Sequence, residues 1–202
     1  MTKIKLCGLS AREDVAEVNR LKPEYIGFVF APGSRRYVEP GRAAALREVL
    51  DPAVTAVGVF VREKPERVAQ LLNVGIIDMA QLHGGEDETY IHRLRELTDR
   101  PLIRAFRVEG PADAAAAQES SADYVLLDSG SGGTGTVFDW SLLSGMKRPF
   151  FLAGGLHDGN VEEALRKLSP YAVDVSSGIE TDGRKDPVKM DAFVRAVREH
   201  RN

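Results

Sequence analysis

The sequence predicts an α/β protein folded as a single (β/α)8 barrel domain over residues 1–202. Three observations lead there. Short apolar, β-branched runs alternate with amphipathic stretches of helical spacing along the chain, which implies a parallel sheet with right-handed crossovers. Most of the runs are continuously apolar, the mark of a strand covered on both faces. Eight such strand–helix units fit into 202 residues; eight favour closure, and ~200 residues is the lower limit for a barrel of this kind. The rival is an open doubly wound sheet, which often carries GxGxxG in its first strand-to-helix turn. That turn reads CGLSARED here, so the fingerprint is absent.

The first strand is IKLC (4–7), and Ser10-Ala11-Arg12-Glu13 fits a capping box with Ser10 as N-cap and Glu13 three residues on. Its helix ends near Leu21, with Pro23 beyond. YIGFVF (25–30) is the second strand, and Pro40 suits the first turn of the helix GRAAALREVL. VTAVGVFV (54–61) precedes a helix opened by Pro65 and closed by Gly75. IDMAQLH (77–83) leads into EDETYIHRLREL, and PLIRAF (101–106) into ADAAAAQES. DYVLLD (123–128) is followed by a long glycine-rich loop and a stunted helix after Trp140. PFFLAG (149–154) leads into DGNVEEALRKL, and AVDVSS (172–177) into DPVKMDAFVRAVREH.

Composition sets the outer limits. Hydrophobic residues at 43% and charged residues at 28% are ordinary for a soluble globular chain. A formal net charge of -3 gives no general reason to bind nucleic acid or an acidic membrane. An anionic ligand must then be held by local positive charge or by backbone N–H groups. The single cysteine, Cys7, cannot form an internal disulfide. No apolar stretch approaches the ~18 residues that span a bilayer, and MTKIKLCG enters a strand pattern directly, without a signal-peptide core. The expectation is a cytoplasmic protein. Outer helix faces pack in monomers and homodimers alike, so both remain open.

In such barrels chemistry sits at the C-terminal ends of the strands. Reading each run to its last residues brings Cys7, His83 and Asp128 to one rim, with the glycine turns AGGL (153–156) and SSGIE (176–180). Each has a bland reading beside the functional one. Free cysteine is often a small buried apolar residue; the next residue, Gly8, and the strand-end position turn this thiol toward the barrel mouth. Asp128 ends a buried run, where a carboxylate costs free energy unless paired or solvated; a loop-anchoring cap is the alternative. His83 is either an ordinary strand-end histidine or a substrate hydrogen-bonding group. The two turns follow the seventh and eighth strands, a frequent phosphate site, and contribute Gly154, Gly155, Ser177 and Gly178. GSRRY (33–37) is either a solvated basic loop or a guanidinium clamp for an anion. The loop 129–139 is too long and glycine-rich for a mere connector. No HExxH, CxxC or acidic-cluster spacing suggests a metal site.

KIKLCGLS, GFVFAPGSRRYVEP, VGVFV, AQLHGGED, LLDSGSGGTGTVFDW, LAGGL and AVDVSSGIE, in this order, closely resemble the phosphoribosylanthranilate isomerases of tryptophan biosynthesis, over essentially the whole chain. The resemblance implies a TIM-type (β/α)8 barrel that catalyses an Amadori rearrangement of a phosphosugar, with no metal and no organic cofactor. The family's catalytic cysteine falls on Cys7 and its catalytic aspartate on Asp128. The arginine that meets the anthranilate carboxylate falls on Arg36, and the phosphate turns on Gly154, Gly155, Ser177 and Gly178. On that reading Asp128 is the general acid and Cys7 the general base, which requires the Asp128 pKa to rise from ~3.9 and that of Cys7 to fall from ~8.5. The competing expectations are another phosphosugar isomerase or epimerase on a similar barrel, and a non-catalytic phosphosugar-binding or thiol redox-sensing protein.

Overall fold

The computed structural model describes residues 1–128, 140–143 and 145–200. Strands β1 (Lys3–Cys7), β2 (Tyr25–Val29), β3 (Thr55–Phe60), β4 (Met79–Leu82), β5 (Leu102–Arg107), β6 (Tyr124–Asp128), β7 (Phe150–Ala153) and β8 (Ala172–Val175) pair in parallel, in sequence order. β1 also pairs with β8, from Lys3 opposite Ala172 to Leu6 opposite Val175. That ladder closes the sheet and decides against the open doubly wound alternative.

Helices α1 (Arg12–Leu21), α2 (Pro40–Arg47), α3 (Pro65–Asn73), α4 (Glu88–Arg95), α5 (Pro111–Glu119), α6 (Val161–Leu168) and α7 (Pro187–Glu199) fill the connections. Between β6 and β7 a single 3-10 turn, Trp140–Leu143, takes the helix position, as the sequence suggested. The expected loop 129–139 lies outside the described residues. Prolines stand in the first turns of α2, α3, α5 and α7, where their missing N–H costs nothing. Asp87 and Asp186 cap α4 and α7 through backbone N–H groups.

One expectation fails by a residue. The N-cap of α1 is Ala11, not Ser10. Gly8 turns the chain at positive φ and Leu9 is drawn into the core, so the first helical turn starts later. Asp14, rather than Glu13, reaches back to accept from the Ser10 and Ala11 amides at 2.9 and 3.0 Å.

Side-chain alternation along each strand splits the core in two. Ile4 and Leu6 point outward into the large layer between sheet and helices. A separate interior cluster holds Tyr25, Val57, Met79, Ile103, Leu126 and Phe151. Above it, toward the strand C-termini, sits a small set of Cys7, Val29, Ala31 and Val59. Lys5 shares the parity of Cys7 and is therefore also inside. After β8 the chain forms a hairpin that the sequence reading missed, β9 (Glu180–Thr181) with β10 (Arg184–Lys185). Its turn residues Asp182 and Gly183 have φ of 50° and 77°, and Asp-Gly is a recognised signal for such a two-residue turn.

Candidate active site

The C-terminal ends of the strands surround a cavity of about 290 Å³. Cys7, at the end of β1, and Asp128, at the end of β6, both line it. His83, just past β4, and Arg36, in the segment after β2, complete a polar wall. The turn after β7 contributes Gly154 and Gly155, and the turn after β8 contributes Ser177. Gly154 and Gly155 have φ of 92° and 66°, a region that side chains disfavour, so these positions hold backbone close to the cavity.

Gly178 is placed differently from the other expected residues, since it does not line the cavity wall. A Cβ there would come within 2.0 Å of the Leu156 carbonyl oxygen. Its missing side chain lets the turn after β8 pack directly on the turn after β7. Gly27 serves the thiol in the same way: a Cβ would approach Cys7 Sγ to 2.5 Å. Gly8, at φ 84°, leaves room for the Arg36 side chain to cross over it.

Asp128 and His83 stand together, with His83 Nε2 3.5 Å from Asp128 Oδ2. His83 Nδ1 lies 2.8 Å from Gln81 Nε2. When the amide donates to Nδ1, the ring proton sits on Nε2 and faces Asp128. Gln81 is 1% exposed and lines the cavity. Among the described residues its Oε1 has no hydrogen-bond partner. A buried carbonyl left open beside a cavity is an acceptor for a bound hydroxyl or N–H. The sequence reading passed over Gln81, although its two-residue spacing from His83 puts both on the inner face.

Arg36 is held by Glu180. Its Nε and Nη2 donate to the two Glu180 oxygens at 2.6 and 2.9 Å. Arg35 Nη2 and Lys185 Nζ also bind that carboxylate, at 2.9 and 2.7 Å. Burial alone would raise the Glu180 pKa, but Arg36 and Lys185 outweigh it and bring it from 4.5 to about 2. Three cations on one carboxylate leave local positive charge at the rim, and Arg36 Nη1 has no partner among the described residues. The guanidinium is thus oriented by one carboxylate, and the Arg36 side chain also lines the cavity. Glu180→Gln should destabilise the fold by about 3 kcal/mol at neutral pH, the low end for breaking a buried ion pair. The contribution of the charge is complete above pH 4.5 and is lost as pH falls through about 2. Thermal melts of parent and variant should therefore converge between these values; a constant gap would refute the electrostatic origin.

Beneath Cys7 lies a second buried pair. Lys5 Nζ donates to Asp174 Oδ1 at 3.0 Å, and Lys5 is 0% exposed. Asp174 lines the cavity floor. Contrary to the expected fall, burial pushes the Cys7 thiol pKa up and Asp174 adds to this, while Lys5 and Lys185 pull it down without cancelling the rise.

Comparison with known proteins gives the family. A family model described as N-(5'phosphoribosyl)anthranilate (PRA) isomerase matches residues 4–196. The N-(5'-phosphoribosyl)anthranilate isomerase of Endomicrobium trichonymphae is 47% identical over 202 residues, covering 98% of this chain and 99% of its own length. The Thermus thermophilus phosphoribosyl anthranilate isomerase crystal structure superposes with a TM-score of 0.88 at 36% identity, covering 99% of this chain and 100% of its own. A phosphoribosyl anthranilate isomerase crystallised with reduced 1-(o-carboxyphenylamino)-1-deoxyribulose 5-phosphate gives 0.86 at 33% identity, covering 98% and 100%. With the match running nearly end to end, the chain belongs to the N-(5'-phosphoribosyl)anthranilate isomerase family.

Proposed function

We propose that the chain converts N-(5'-phosphoribosyl)anthranilate to 1-(2-carboxyphenylamino)-1-deoxyribulose 5-phosphate, an Amadori rearrangement in tryptophan biosynthesis, by general acid–base catalysis between Asp128 and Cys7. The observation that carries this reading is the single cavity lined by both groups, by Arg36 and by the two glycine turns. Its size is near the lower end for sites that enclose a small organic ligand.

The reaction needs two proton transfers. Asp128 protonates the furanose ring oxygen, the C1'–O bond breaks, and an iminium forms. Cys7 then takes the proton from C2'; the C–H electron pair becomes the C1'=C2' bond and the iminium pair returns to nitrogen. The enolamine relaxes to the ketone. One acid and one base suffice, and no step calls for a metal or an organic cofactor. Arg36 receives the anthranilate carboxylate. Gly154, Gly155 and Ser177 present backbone groups to the phosphate, with Gly178 setting the spacing of the turns; the first N–H groups of the 3-10 turn Ser177–Ile179 have no acceptor within that turn. His83 and the open Gln81 carbonyl face the sugar hydroxyls.

The test is loss of substrate fluorescence on adding phosphoribosylanthranilate to the parent protein and to Cys7→Ala. A parent that binds the substrate without turnover would instead favour a phosphosugar-binding role, and conversion of the histidine-pathway aminoaldose alone would favour the sister isomerase. Arg36→Met should raise KM roughly 30- to 150-fold, because charged hydrogen bonds of ~2–3 kcal/mol are lost, with a smaller change in kcat. Steady-state kinetics on the variant measures both; an unaltered KM removes Arg36 from the site.

We also take residues 1–202 as one domain working in the cytoplasm with a small phosphosugar partner and neither nucleic acid nor membrane. No helix among the described residues is long and apolar enough to cross a membrane. A related Thermotoga maritima isomerase is described as dimeric; light scattering distinguishes monomer from homodimer here.

A further inference from the structure

Lys5 is the one fully buried lysine in the barrel interior, and the reaction described above gives it no task. Its position follows from strand geometry. Lys5 and Cys7 are two residues apart on β1, so their side chains leave the same face. β1 and β8 pair with Lys5 directly opposite Asp174. The ammonium therefore meets this carboxylate at 3.0 Å on the face from which the sulfur also projects, and each of the two acts on its charge.

A buried ammonium is costly unless it is paired. Burial works to lower the Lys5 pKa, but Asp174 and Cys7 together outweigh it and keep the group charged. This cation is fixed, dry and shielded from salt, the setting in which a charge acts most strongly on a neighbour. The other charged groups acting on Cys7 are Asp174 from β8, Lys185 from β10 and Arg36 from the segment after β2. The neighbouring strands β2 and β3 bring Gly27, Val29 and Val59, and His83 and Asp128 line the same cavity from β4 and β6. Of the cations acting on the thiol, Lys5 has the largest effect.

We propose that Lys5 is a positioning residue for the isomerase reaction: its ammonium, held by Asp174, supports the charged form of Cys7 so that the sulfur can accept the C2' proton. The proposal rests on Cys7 being the base. It explains why an ion pair occupies the barrel interior directly beneath the sulfur, where an apolar pair would pack at lower cost. It also divides the labour of the four charged groups that flank the thiol and the guanidinium. Asp174 anchors Lys5, Lys5 supports the thiolate, and Glu180 with Lys185 orients Arg36.

Because Cys7 is the only cysteine in the chain, alkylation by iodoacetamide reports on this thiol alone, without substrate. The rate of alkylation against pH should be measured for the parent, Lys5→Met and Lys5→Met/Asp174→Asn. The double variant removes the pair together and covers the case in which the single variant, left with an unpaired buried carboxylate, fails to fold. The midpoint should rise by about one unit or more in Lys5→Met, a tenfold slower reaction at pH below the midpoint, and by less in the double variant. In turnover, kcat should fall while KM changes little, and Lys5→Arg should recover part of the loss. An unmoved midpoint in a folded variant, or a change confined to KM, would overturn the proposal; a merely structural Lys5 would lower the melting temperature and leave the midpoint alone. If Cys7→Ala kept its turnover while Lys5→Met still moved the midpoint, the coupling would stand and the catalytic reading of Cys7 would fall.

Discussion

Cys7→Ala should lose about 10²- to 10⁴-fold in kcat on phosphoribosylanthranilate, the range that one general base contributes, and remain folded. Alanine has no proton acceptor, and Asp174, the carboxylate that acts on this thiol, is committed to Lys5 at 3.0 Å. The fold has little at stake in the sulfur. Cys7 contributes its carbonyl, not its side chain, to the bond from Ser176 Oγ at 3.2 Å. Removing one atom from a site already open to the cavity should cost about 1 kcal/mol, as for a one-methyl deletion. Single-turnover fluorescence decay measures the rate, and near-ultraviolet circular dichroism checks the fold. A kcat within a few-fold of the parent would take the base away from Cys7 and leave the mechanism without one.

Asp128→Asn should cost a comparable factor, for a different step. Asparagine keeps the shape of the side chain and an oxygen for His83 to approach, but it cannot hold a transferable proton at this pH range. The pairing at the strand end runs through the backbone, where the Asp128 carbonyl accepts from the Val108 amide at 2.9 Å. The two variants are separable by substrate deuterated at C2'. In Cys7→Ala the C–H cleavage limits the rate, so the isotope effect should be large. In Asp128→Asn ring opening limits, and the isotope effect should shrink toward unity. Matching isotope effects in both variants would mean that the acid and base assignments do not correspond to distinct steps.

Much of this was legible from local pattern. The continuous apolar runs marked the strands, and reading each to its end brought Cys7, His83 and Asp128 to one rim. Pro40 and Pro65 marked the starts of α2 and α3, because a missing N–H is tolerated in few other helical positions; Pro111 and Pro187 carried the same signal for α5 and α7 and were not read. Capping was less legible. Ser10-x-x-Glu13 satisfied the box on paper, yet the burial of Leu9 shifted the first turn and gave the role to Asp14. The Asp-Gly signal at 182–183 pointed to the β9–β10 hairpin, but strands of two residues are too short to show an alternation.

What the sequence determined by itself is the set of groups at the strand ends and their parity, since a two-residue repeat on a strand is a local property. It could not determine which distant groups act on them. Lys5 meets Asp174 across 169 positions, and Arg36 meets Glu180 across 144. Those partnerships exist only because β1 pairs with β8 and closes the barrel. Tertiary structure alone decided that the cation below the thiol is buried against a carboxylate and that the guanidinium is pre-aimed by another. The physical reason is that electrostatic influence follows distance through space and burial from water, and neither is written in the order of residues along a chain.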